Sequence, residues 1–165
     1  DFGLFDYDRL YHVRRGLFPF LMSRGCAYSC TYCCSHALRE ITAGGARFWR
    51  FQSPDHATSQ LARMMALHQP GAARVHFHDT ILFARRDWLE DFARLYRARV
   101  GLPFSCNLRA DMVTPETADL LASMGCETIR FGVECGDEEL NGGLLNRGHS
   151  LDDVRRAFEI GRAHV

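Results

Sequence analysis

Leu17-Phe18-Pro19-Phe20-Leu21-Met22-Ser23-Arg24-Gly25-Cys26-Ala27-Tyr28-Ser29-Cys30-Thr31-Tyr32-Cys33 sets the reading of the whole chain. Its first part, Leu17 to Met22, is a short apolar run bounded by Gly16 and Gly25, which reads as a buried strand. Pro19 weakens the start of that strand, because proline donates nothing to a ladder. The second part sets three cysteines at C-x3-C-x2-C, with Cys34 directly behind them. A strand that runs straight into a loop rich in reactive side chains suits an α/β protein. In such folds, functional loops sit at the C-terminal ends of parallel strands.

Outward from this stretch, strand and helix alternate. A turn at Gly44-Gly45 precedes Phe48-Trp49-Arg50-Phe51, an aromatic segment read as packing. Ser53-Pro54 starts a helix, serine capping and proline in the first turn, that runs to Pro70-Gly71. Arg74 to Asp79 is the second strand. Arg86-Asp87 opens a helix with Trp88, Leu89, Phe92, Leu95 and Tyr96 on its apolar face and an arginine-rich solvated face. Phe104 to Leu108 is the third strand, and Thr114-Pro115-Glu116 starts a helix stopped by Gly125. Thr128 to Glu134 is the fourth strand. Ser150-Leu151-Asp152-Asp153 begins a last helix, with Val154, Ala157, Phe158 and Ile160 on one face. Four strand–helix units predict an α/β domain with a parallel sheet over residues 17–165, after a lead-in segment, 1–16.

Composition narrows the function classes. The chain has 165 residues, 47% hydrophobic and 24% charged, as a soluble globular domain does. Twenty basic residues, all arginine, balance 20 acidic ones, so the net charge of zero argues against nucleic acid as partner. No apolar run is long enough for a membrane span. Of the seven cysteines, Cys26, Cys30, Cys33 and Cys34 are clustered. Cys106, Cys126 and Cys135 stand singly in or beside apolar runs and read as small core residues. Clustering, without a secretory leader pattern, favours a metal site in a reducing compartment, the cytoplasm, over a disulfide framework.

Three thiolates within eight residues can meet one inorganic centre. A 4Fe-4S cluster normally takes four thiolates, so three leave one iron open to bind a cofactor or substrate directly. A zinc site built from Cys26, Cys30, Cys33 and His36 is the competing reading. Cys34 as a fourth ligand is disfavoured, because neighbouring residues rarely point at one metal together.

Ser23 to Cys33 closely resembles the cluster loop of radical SAM enzymes. More narrowly it is similar to the branch that often carries an upstream cobalamin-binding domain, and in part to methylthiotransferase-like proteins. The resemblance extends along the chain. His78-Asp79-Thr80 resembles the family's Asp-Asp motif after the second strand, and Arg109-Ala110-Asp111, with Thr114 and Glu116, its Arg-x-Asp segment after the third. Gly125 to Glu134 resembles its fourth strand. His78 replaces the first aspartate of the acidic pair, Ala27 a usual proline and Cys135 a serine, and Gly142-Gly143 interrupts a normally helical region. The resemblance implies a partial parallel (βα) barrel of about six units, of which this chain supplies four and is therefore a fragment.

It further implies that Cys26, Cys30 and Cys33 hold a 4Fe-4S cluster whose open iron binds S-adenosylmethionine (SAM). Reductive cleavage of SAM would then give a 5′-deoxyadenosyl radical for methylation, rearrangement or oxidation of a small molecule. Tyr32 would lie near the adenine. Asp79 would accept from the SAM ammonium, with helix capping as its alternative. Glu134 would meet the ribose, and Arg109 the carboxylate, unless either is held in a structural ion pair. Asn107, His76 and His78 are weaker pocket candidates. An electron donor such as flavodoxin or ferredoxin is implied. Cobalamin, if used, would sit in a domain outside this chain, which lacks D-x-H-x-x-G. A methylthiotransferase acting on tRNA or protein, and a non-catalytic zinc or iron–sulfur module, are the other readings.

Overall fold

The computed structural model describes residues 16–42, 48–69, 71–83 and 85–163. The lead-in segment before Gly16, the Gly44-Gly45 turn, Pro70 and the last two residues fall outside them.

In chain order the elements are β1 (Leu17–Phe20), β2 (Ser23–Arg24), α1 (Cys34–Ile41), β3 (Arg50–Phe51) and α2 (Pro54–His68). These are followed by β4 (Arg74–Phe77), α3 (Arg86–Arg99), β5 (Phe104–Asn107), α4 (Pro115–Ser123), β6 (Cys126–Arg130) and α5 (Leu151–Ala163). A 3₁₀ turn covers Ala110–Met112 and a π-helical turn covers Leu140–Leu144. Four strands form one parallel sheet in the order β1-β4-β5-β6, and β2 pairs with β3 in a small antiparallel ribbon. The four predicted strand–helix units are thus present. The β2–β3 ribbon and α1 had no sequence signal strong enough to name them.

The caps explain why the helices begin where they do. The Ser53 hydroxyl accepts from the His56 amide, with Pro54 in the first turn of α2. The Thr114 hydroxyl accepts from the Thr117 amide ahead of α4, again with a proline at the first position. At α5, the Asp153 carboxylate accepts from the Ser150 amide and hydroxyl, each at 2.8 Å, while the Ser150 hydroxyl accepts from the Asp153 amide at 3.1 Å. This reciprocal pair is a capping box with aspartate in the acidic position.

Pro19 fits because, among the described residues, β1 is an edge strand that pairs with β4 alone. All four strands end earlier than the apolar runs suggest, and the residues past their ends turn into the loops that carry the site. The largest difference is at β6. Phe131 to Glu134 leaves the ladder, and Glu134 itself is left-handed, with φ +63°.

One sheet face packs on the helices. Phe77 is fully buried, with Phe20, Phe92, Tyr96 and Phe104 arranged edge-on or tilted around it at 5.3–6.3 Å. Each such aromatic buries a large apolar area, and the edge-on arrangement adds to it. The Tyr96 hydroxyl donates to the Leu102 carbonyl at 2.8 Å, so its polar end is satisfied. The Trp49–Phe51–Trp88–Phe92 chain of rings, 5.0–5.4 Å apart, makes the aromatic segment packing, as expected.

Candidate active site

A cavity of about 340 Å³ opens beyond the C-terminal ends of the strands. Cys26, Cys30 and Cys33 border it, together with Tyr28, Tyr32 and Arg109. Cys34 does not; it is the first residue of α1 and is exposed. The chain therefore directs three of its four clustered thiols to one space. Among the described residues, no three His, Cys, Asp or Glu side chains converge tightly enough for a single metal ion. A cubane makes a different demand, since each thiolate meets a different iron corner. The side chain of His36, the fourth ligand in the zinc reading, lies outside the described residues.

The cysteine loop is held from several sides. The Arg39 guanidinium, on α1, donates to the Cys26 and Tyr28 carbonyls, both at 2.9 Å. The Thr80 hydroxyl, just past β4, donates to the Gly25 carbonyl at 2.9 Å. The segment after the π turn straps the loop's far side: the Thr31 amide donates to Leu145 O at 3.1 Å and its hydroxyl to Leu144 O at 2.7 Å. The Asn146 side-chain amide donates to Ser29 O at 3.0 Å. Gly25 permits the close approach beneath, with φ +81° and Phe48 O only 2.2 Å from where a Cβ would stand.

Cys33 is also the N-cap of α1, and its sulfur accepts from the Ser35 amide at 3.5 Å. Hydrogen bonds from Ser35, helped by the charge of Arg147, hold the Cys33 thiol below its ordinary range. A thiol at a helix N-terminus is thereby prepared to ligate as thiolate.

The predicted site residues divide into two groups. Tyr32 borders the cavity, and its hydroxyl accepts from Arg147 Nη1 at 2.7 Å. Burial beside Glu134 pushes that hydroxyl's pKa up to about 12, so it remains a proton carrier. Glu134 does not border the cavity; it lies 4.0 Å from the guanidinium of Arg147, which does, so its ion-pair partner is neither Arg109 nor Arg130. Asn107 borders the cavity and donates to the Asp79 carbonyl at 2.9 Å.

Asp79 and Arg109 are committed within the protein. Asp79 is fully buried; its carboxylate accepts from the Met22 and Ser23 amides, at 3.1 and 2.6 Å, and from the Ser23 hydroxyl. It ties the end of β1 to the end of β4 and does not border the cavity. Burial raises its pKa against those bonds. Arg109 closes its fork on Asp111, at 3.0 and 3.1 Å, and donates to Arg147 O at 2.6 Å. Its guanidinium lies 3.8 Å over the Tyr28 ring. Arg109 borders the cavity with its guanidinium engaged by Asp111, the ion pair that was the alternative to a ligand contact.

Arg147 was not singled out in the sequence. It sits in a loop without periodicity, and only its contacts reveal it: Tyr32 Oη, Gly132 O at 2.6 Å and Glu134. Asn146 lies in the same loop, and Arg39, on α1, is likewise revealed only by its contacts with the Cys26 and Tyr28 carbonyls. His76 is buried in the sheet, whereas His78 is exposed beyond its end.

Three comparisons bear on this arrangement. The family model of the Radical SAM superfamily matches residues 20–164. A Pyrococcus horikoshii protein named as an uncharacterized methyltransferase is 22% identical over 145 residues, 86% of this chain and 30% of that protein. The radical S-adenosylmethionine methyltransferase TsrM of Kitasatospora setae, solved with tryptophan substrate and a SAM analog, superposes with a TM-score of 0.73 and 20% identity. That match covers 93% of this chain and 29% of TsrM. Another TsrM structure contains cobalamin and a [4Fe-4S] cluster. The coproporphyrinogen III oxidase HemN of Escherichia coli, a radical SAM enzyme, superposes with a TM-score of 0.60 and 14% identity over 89% of this chain and 34% of its own. This chain thus spans about a third of the length of the proteins it matches. The structural likenesses establish the fold, a partial parallel barrel of the radical SAM type.

Proposed function

This chain belongs to the Radical SAM superfamily, and we propose that its cavity binds a 4Fe-4S cluster and SAM to start methyl transfer to a small molecule. The reading rests on one observation above all: Cys26, Cys30 and Cys33 border the same cavity while Cys34 does not. A three-thiolate set suits a cluster with one open iron.

When bound, the cluster supplies the electron that breaks the sulfonium carbon–sulfur bond of SAM. The protein's own groups do the rest. The Cys33 thiol is favoured as thiolate by Ser35, and Arg39 and the Thr31–Leu145 strap fix the spacing of the three sulfurs. Tyr32 offers its ring as a wall for the adenine. Glu134 accepts from a ribose hydroxyl, with Arg147 holding both in place. Asp79 and Arg109 act as positioning residues beneath the loops. Methyl transfer is favoured over other radical reactions by the names of two relatives, and cobalamin would come from a region outside this chain. The neutral charge keeps a small molecule ahead of tRNA as the acceptor. A flavodoxin- or ferredoxin-like donor would supply the electron.

Anaerobic reconstitution of the full-length protein with iron and sulfide tests this. Wild type should hold four irons per cluster and cleave SAM on reduction, and its electron paramagnetic resonance spectrum should change on adding SAM. Cys30→Ala should lose the cluster. Zinc in place of iron, or a spectrum indifferent to SAM, would sink the proposal.

A further inference from the structure

The sheet face opposite the helices is polar across β4, β5 and β6. His76 on β4, Ser105 on β5 and Thr128 on β6 stand in register, and one step further along Asn107 pairs with Arg130. Residues in register, and those two apart along a strand, share a face. The other face, with Val75, Phe77, Phe104 and Cys106, is buried in the aromatic core. The polar face therefore lines the barrel interior and leads up to the cavity, which Arg130 and Asn107 both border.

Arg130 is held there in an unusual way. Its Nη1 donates to His76 Nε2 at 3.0 Å, and His76 Nδ1 is 2.7 Å from the Ser105 hydroxyl. A guanidinium has no acceptor, so Nε2 must accept and the ring proton lies on Nδ1, donating to Ser105 Oγ. A neutral imidazole thus orients the arginine without cancelling its charge. His78 closes the side of the network, its ring 4.2 Å from that of His76 and edge-on to it.

Three arginines border the cavity. Arg109 is paired with Asp111 and Arg147 with Glu134. Among the described residues no carboxylate forms an ion pair with Arg130, although its side chain is exposed to the cavity. Its neighbours on the wall include Ile81, Leu108 and Phe131. A guanidinium that no described carboxylate pairs, set among apolar side chains, is a receptor for an organic acid: a fork for the anionic oxygens, beside a dry surface for the body of the molecule.

We propose that Arg130, oriented by His76 and Ser105, anchors the carboxylate of the enzyme's own substrate, an organic acid with an apolar body. The assignment rests on the reading of the cavity as a SAM site. SAM carries a carboxylate too, but the cavity arginine that hydrogen-bonds to the cysteine loop is Arg147, which donates to Tyr32 Oη at 2.7 Å. Arg130 makes no hydrogen bond to the cysteine loop.

Calorimetric titration of the reconstituted full-length holoenzyme, saturated with SAM, tests the assignment with benzoate and its neutral isostere benzamide. Benzoate should bind roughly ten- to a hundredfold more tightly, the worth of a charge-assisted pair. Arg130→Gln should abolish that preference, and Arg130→Lys should keep part of it, while both leave SAM affinity and iron content unchanged. Equal binding of the two probes by wild type, or no binding of benzoate, overturns the proposal without recourse to any variant. A loss of SAM affinity in Arg130→Gln overturns it as well, by assigning the arginine to SAM. A protein that holds no cluster or does not bind SAM at all instead removes the function on which the site depends.

Discussion

Asp79 is buried beside the start of the cysteine loop and does not border the cavity. Its carboxylate satisfies two buried backbone amides and one hydroxyl at the mouth of β1, immediately before the cysteine loop. Asp79→Ala would leave those amides without a partner in the interior, at a cost of about 2–4 kcal/mol; chemical denaturation should show a lower midpoint with an unchanged slope. Gly132 makes a different kind of demand. A Cβ there would stand 2.0 Å from Glu134 Oε1, the end of a flexible side chain. Gly132→Ala should therefore push the Glu134 carboxylate aside and weaken SAM binding about as much as Glu134→Gln does, with little change in unfolding midpoint. At Gly25 the obstacle is the Phe48 backbone, which cannot move aside, so Gly25→Ala should lower the midpoint itself.

At the scale of elements, α5 carries a pH dependence set by its cap. Hydrogen bonds from Ser150, with Arg156 adding to them, hold the pKa of Asp153 down to about 2. A depressed carboxylate contributes stability that is complete above its unfolded pKa and is lost as pH falls through the folded value. Thermal melts between pH 5 and pH 2 should therefore show wild type losing stability across roughly pH 4 to 2. Asp153→Asn, less stable at neutral pH, should lack that part of the decline. The helices and strands were legible in the sequence because caps and apolar periodicity are local. The Ser53-Pro54 and Thr114-Pro115 starts are where the structure has them. The β2–β3 ribbon and α1 were not legible: the ribbon has only two residues on each side, and α1 is eight residues long with a cysteine, Cys33, at its N-cap in place of the usual serine, threonine or aspartate.

At the scale of the molecule, the sheet has an open side. The outer edge of β6 is unpaired among the described residues, and a groove of about 330 Å³ beside it is lined by Leu121, Ile129, Phe131 and Phe158. Phe158 is 57% exposed. An unpaired parallel edge with an apolar groove is a template for association. The 165-residue chain made on its own should self-associate, with a sedimentation coefficient that rises with concentration. Charged substitutions at Phe158 and Ile129 should reduce this. A monomer at all concentrations, unfolding cooperatively, would contradict the expectation.

The sequence alone determined the family, the α/β order and the three thiols, because each depends on residues close together in the chain. C-x3-C-x2-C needs only eight residues to state its chemistry, and a cap needs four. The tertiary structure alone decided which charged groups are available. Asp79, Arg109 and Arg130 are equally plausible ligands as letters. Asp79 is spent on Met22 and Ser23 and Arg109 on Asp111, while Arg130 faces a neutral histidine 54 residues away. Arg147 gains its place only because the strap after β6 returns to the cysteine loop. The chemistry of a charged side chain is set by its partner, and here most of the deciding partners are brought together by sheet register and loop packing, not by spacing along the chain.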